Sequence, residues 1–118
     1  RWSPSETPRN LNDAKILYDT TLGYADHAGF RCGTCYEFSL FDLIKRKRLK
    51  IFERPILVME GSVLSNKYMN MGIEDAYDYI KGIKDKTKKH GGNFTLLWHN
   101  SDFKHDRFRD LYLNLIQE

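Results

Sequence analysis

At 118 residues, with 41% hydrophobic and 14% aromatic side chains, the chain is long enough for one domain with a core but short of the roughly 250 residues of a complete (β/α) barrel. That composition excludes a disordered segment, and no apolar stretch reaches the roughly 18 residues a bilayer span needs, so neither a membrane nor, at a net charge of only +3, a nucleic-acid partner is expected. The positive charge gathers at Lys45-Arg46-Lys47-Arg48 and in the lysines between Lys81 and Lys89.

Residues 5–14 have the features of a helix start, with Ser5 or Thr7 as caps and Pro8 tolerated in the first turn, and they lead into a short strand over 16–21. A glycine-punctuated loop follows. Between 40 and 59 the pattern is β, with strands at 40–44, 49–52 and 56–59 and the basic run 45–48 as a solvated hairpin tip. The spacing of Ile73, Ala76, Tyr77, Ile80, Ile83 and Thr87 predicts an amphipathic helix over 73–90. Glu74 and Asp75 sit in its first turn, lysines in its last, and Gly91-Gly92 supplies the stop. The apolar run 94–98 predicts a buried strand, and Phe108, Leu111, Tyr112 and Leu115 predict a last helix over 106–117. Helix, strand, helix is the signature of α/β layering. No linker, repeat or low-complexity stretch divides the chain, so residues 1–118 read as a single domain or a fragment of a larger one.

Three groups of residues carry chemistry. His99 stands at the carboxyl end of the 94–98 run, where open α/β sheets and barrels collect catalytic side chains, although an isolated histidine after a strand is more often an ordinary hydrogen-bonded residue. The loop after the first strand packs Asp19, Asp26, His27 and Arg31 between glycines, so Arg31 is able to orient a catalytic acid or to close a local ion pair, and the carboxylates to cap turns. Cys32-Gly33-Thr34-Cys35 has the spacing of a redox pair or of half a zinc knuckle. The segment after it reads as extended rather than helical, and there is no second such pair. Two cysteines and no others fit a reducing compartment, which leaves location open with a slight lean to the cytoplasm.

The segments Trp2-Ser3-Pro4-Ser5-Glu6-Thr7, Tyr18-Asp19-Thr20-Thr21-Leu22-Gly23-Tyr24-Ala25-Asp26, Gly29-Phe30-Arg31 and Leu97-Trp98-His99, in that order, resemble the carboxyl-terminal half of the polysaccharide deacetylase-like family. The resemblance spans roughly residues 2–102 and rests most on Gly29-Phe30-Arg31 combined with Leu97-Trp98-His99. It implies the carboxyl-terminal portion of an irregular (β/α) barrel, with a β-hairpin insertion, that removes N-acetyl groups from a polysaccharide or glycan precursor. It also implies His99 as the general acid, Arg31 as the group orienting a catalytic aspartate, and Glu60 near the family's fourth acidic motif. Asp19 and Asp26 would support the mouth, Tyr24 and Trp98 would contact substrate, and a zinc-like divalent metal would belong to the parent enzyme.

This chain departs from the family pattern in ways that limit it. Cys32-Gly33 follows Arg31 where proline is usual, the early Asp-Asp motif is missing, and His27, His90, His99 and His105 include no pair three or four residues apart. Together with an opening at Arg1, this suggests a piece of a larger enzyme. By itself the chain is expected to bind no cofactor, to be inactive, and to self-associate or pair with a missing amino-terminal half. Two other classes remain open: a noncatalytic carbohydrate-binding or scaffold module using Tyr24, Phe30, Tyr36 and Trp98, and a thiol-redox module using Cys32 and Cys35.

Overall fold

A computed structural model describes residues 1–117 and shows a mixed α/β chain of two small sheets and four α-helices. Helix α1 (Thr7–Asp13) carries Pro8 in its first turn, where a missing N–H leaves no bond unmade. Strand β1 is Tyr18–Asp19 alone, shorter than the expected 16–21. Strands β2 (Phe38–Asp42) and β3 (Lys47–Glu53) form an antiparallel hairpin. Its turn lies at 43–46, two residues ahead of the basic run, because the Asp42 side chain nucleates it: Oδ1 accepts the N–H of Ile44 at 2.9 Å and of Lys45 at 3.0 Å. These N–H bonds, the one from Lys45 foremost, hold the Asp42 carboxyl below its ordinary range. Arg46 takes the left-handed conformation, φ 50°, while Lys47 and Arg48 lie within β3.

Strand β3 is more than half of an insertion. Tyr18 pairs with Phe52 and Asp19 with Glu53 in parallel register, and beyond the strand the N–H groups of Arg54 and Ile56 donate to the carbonyls of Asp19 and Leu22. The chain then runs on into β4 (Val58–Met59), which pairs in parallel with β5 (Leu96–Leu97), Val58 opposite Leu96 and Met59 opposite Leu97. Residues 17–22 and 95–97 therefore flank one extended path, 52–59, and only β2 is added outside this parallel array. Pro55, which has no N–H to donate, marks the interruption between β3 and β4.

Helix α2 (Glu60–Leu64) starts directly from β4, with no sequence signal beyond the apolar run before it. Helix α3 (Ile73–Lys89) buries Ala76, Ile80, Ile83 and Thr87, the face its spacing predicts. It ends where Gly91, at φ 65°, adopts the left-handed conformation that L side chains rarely take. Helix α4 (Asp106–Ile116) buries Leu111 and Leu115 against the same core, which also holds Leu57, Val58 and Val63. Each such fully buried aliphatic side chain contributes about 1.5–3 kcal/mol. A second, smaller cluster, Leu40, Leu49 and Ile51, lies under α1 with Trp2, Leu11 and Phe38.

Neither sheet closes on itself, and the chain is drawn out: its extents are 46 × 30 × 21 Å and its radius of gyration is 15.7 Å. A compact domain of this length would have a radius near ~13.5 Å. The two core clusters are thus arranged along a shelf rather than around one centre.

Candidate functional site

Because Met59 stands opposite Leu97 on parallel strands, the residues that follow, Glu60 and His99, leave β4 and β5 at the same end. This is the carboxyl end, the end at which α/β sheets carry their sites. Glu60 opens α2 and is 1% exposed, while the His99 side chain, just ahead of a 3-10 turn (Asn100–Lys104), is 54% exposed. His99 Nδ1 and Glu60 Oε1 form a hydrogen bond. A carboxylate only accepts, so Nδ1 carries the proton and donates it to Glu60, which leaves Nε2 free of that bond. The hydrogen bond and charge of Glu60, with a smaller contribution from Asp102, raise the His99 pKa above the ordinary histidine value. The second Glu60 oxygen, Oε2, is buried with no hydrogen-bond partner among the described residues.

Asp102 completes this group. It lies three residues after His99 in the 3-10 turn, its N–H donating to the His99 carbonyl at 3.1 Å. One ligating atom from each of Glu60, His99 and Asp102 falls within 4.8 Å of the others. Asp102 escapes a motif-based reading, although the sequence His99-Asn100-Ser101-Asp102 places a carboxylate one tight turn from the histidine.

The remaining sequence candidates go elsewhere. Arg31 donates from a guanidinium nitrogen to the Gly23 carbonyl at 2.8 Å and makes no ion pair with a described carboxylate, so here it ties a loop. Asp26 accepts from the His27 ring at 2.7 Å, a pairing that holds its carboxyl below the ordinary range, and Tyr24 stacks on His27 with ring centroids 3.9 Å apart. Trp98 turns inward against Tyr112, and its Nε1 is buried without a partner among the described residues. The open cavity of about 540 Å³ between α3 and α4 is lined by residues such as Tyr77, Asp78 and Arg107 and includes none of these candidates.

Asp19 joins a second cluster rather than His99. It faces Glu53, which lies one residue beyond the strand expected at 49–52, although Leu49, Ile51 and Glu53 alternate on the inward side. Glu53 is fully buried, accepts the Leu22 N–H at 2.9 Å, and is pushed up to about 7, chiefly by burial and also by Asp19. Cys32 lies close enough to feel the Glu53 charge; burial first and then that charge push its thiol up, the reverse of what a reactive thiolate needs. Cys35 is buried, and both cysteines are free.

No known family description, no characterised protein and no solved structure matches this chain.

Proposed function

We propose that this chain carries the proton-donating part of a hydrolase that removes N-acetyl groups from a polysaccharide or glycan precursor, with His99 as general acid and Glu60 as the residue that positions it. The observation that carries the reading is the hydrogen bond from His99 Nδ1 to the buried Glu60 at the carboxyl ends of two parallel strands. The open shelf of parallel strands is compatible with part of a deacetylase-type barrel, and the ordered resemblance of Gly29-Phe30-Arg31 and Leu97-Trp98-His99 adds the substrate class.

In this reading Glu60 fixes the ring tautomer and favours the imidazolium, the form in which His99 has a proton to give. Water adds to the acetamide carbon and gives up one proton to a base that must come from outside this chain; as the C–N bond breaks, the proton on His99 Nε2 passes to the departing nitrogen. The products are acetate and a free amine on the sugar, and Glu60 stabilises the imidazolium until transfer. The paired-histidine and Asp-Asp ligands of the resemblance have no counterpart in this sequence, so this chain lacks the ligands with which the family holds its metal, and His99 and Glu60 take no step through it. Arg31, held on Gly23, has no described aspartate to orient; that role requires a carboxylate from elsewhere.

The test is acetate release from N-acetylated oligosaccharides by the natural gene product that contains this chain. His99→Ala is expected to lower kcat by about 10²–10⁴ with little change in KM, the usual worth of a general acid. Oligosaccharide binding without any acetate release, both with and without added divalent metal, would instead favour the noncatalytic sugar-binding reading.

A further inference from the structure

We infer that Glu60, His99 and Asp102 form a binding site for one borderline divalent cation of the zinc type, made entirely by this chain and distinct from the ligand set of the resemblance. Three observations lead there. One atom from each residue lies within 4.8 Å of the other two. Ligand bonds of about 2.0–2.2 Å put donors around one ion ~3.2–4.4 Å apart, so small rotations of the exposed His99 and half-buried Asp102 side chains bring the group to coordinating distance. The Glu60 side chain is 1% exposed, yet its Oε2 has no partner among the described residues, a deficit a cation at this position would cancel.

The supporting elements are also suited to a metal. Glu60 begins a helix directly from β4, and His99 and Asp102 enter and occupy one tight turn directly after β5, so the three donors hang from two paired strands rather than from separate loops. One imidazole and two carboxylates favour zinc, manganese or cobalt over magnesium, which prefers oxygen alone and keeps its water shell. Three protein ligands leave a further position open.

The binding stands independently of the deacetylase reading, but its consequence rests on it: an ion held on His99 and Glu60 removes the proton donor, so the site is inhibitory. Zinc chloride titrated into the 118-residue chain by calorimetry, in a Cys32→Ser background that removes the more accessible thiol, is expected to show saturable one-to-one binding. Asp102→Asn should weaken it by roughly tenfold or more, His99→Ala should abolish it, and magnesium should give no comparable signal. Both substitutions lie at residues that are not buried, so the fold should survive, which thermal unfolding of each variant checks. In the wild type the amide resonances of Glu60, His99 and Asp102 should shift together. Absence of saturable binding, or binding undiminished in His99→Ala, overturns the site. Zinc binding through His99 in a chain whose parent releases no acetate keeps the site and removes the deacetylase reading.

Discussion

Asp19 and Glu53 stand opposite one another on the parallel strands β1 and β3, and each has one buried oxygen with no partner among the described residues. Two carboxylates so placed cannot both ionise without cost, and Glu53 is raised from 4.5 to about 7. The folded chain therefore holds a proton that the unfolded chain gives up at lower pH. Its stabilisation is fully present below about 4.5, declines as pH rises through about 7, and is flat beyond. At 1.36 kcal/mol per unit the loss is about 3 kcal/mol. Urea unfolding at pH 5 and pH 8 should show it, and Glu53→Gln, which keeps a neutral group of the same shape, should flatten the profile and exceed the wild type at pH 8. A wild-type profile that rises between these values would show that the pair is ionised in the fold.

The Glu60–His99 bond makes an equally direct prediction. Glu60 is the first cause of the raised His99 pKa, so Glu60→Gln should bring His99 down toward the ordinary value of 6.5. Ring-proton chemical shifts followed against pH measure this residue by residue. The wild-type bond stabilises the fold fully below the unfolded histidine pKa and is lost as pH rises through the higher folded value, so the two chains should differ most in acid and least in base. Identical His99 titrations in both would mean that the hydrogen bond is not maintained in solution.

Gly92 should tolerate no side chain. A Cβ there would collide with the Cys35 sulfur, and it would also stand 3.1 Å from the Cys35 carbonyl oxygen, which accepts the Asn93 N–H at 2.8 Å. Backbone on one side and a buried thiol on the other leave little room to yield, so Gly92→Ala is expected to cost about 1–3 kcal/mol in urea unfolding. Gly82→Ala, in open space on the exposed side of α3, should be neutral or stabilising, since alanine is the better helix former. Equal stability of the two variants would argue that Cys35 does not pack where the fold places it.

Legibility followed burial pattern. Helix α3 was plain because Ala76, Ile80, Ile83 and Thr87 repeat at helical spacing, and α4 was plain through Leu111 and Leu115. The hairpin register was displaced because the charged run suggested the turn, whereas a single buried carboxylate, Asp42, sets it two residues earlier. Helix α2 has five residues and no cap, too short for periodicity to register. His99 and Glu60 were visible as polar residues closing apolar runs. Their contact was not, because it joins positions 39 apart in the chain and depends on the β4–β5 pairing. Glu53 and Asp102 were missed for opposite reasons: one is hidden inside an apolar alternation, and the other belongs to a turn with no hydrophobic pattern.

The parallel array also predicts how the isolated chain behaves. Among the described residues strand β1 has only β3 as a neighbour and β5 only β4, so each offers an unpaired edge, and beside the first Leu17 is 68% and Tyr18 52% exposed. An apolar strand edge of this kind is a template for pairing with another chain. Sedimentation velocity should therefore show self-association that grows with concentration through the micromolar range. Leu17→Lys, which adds charge at an exposed position outside both cores, should suppress it without changing the thermal midpoint by more than about 2–4 °C. A wild-type chain that stays monomeric over that range would mean that these edges are shielded in solution, and the proposal that the shelf is part of a larger barrel would lose its physical basis.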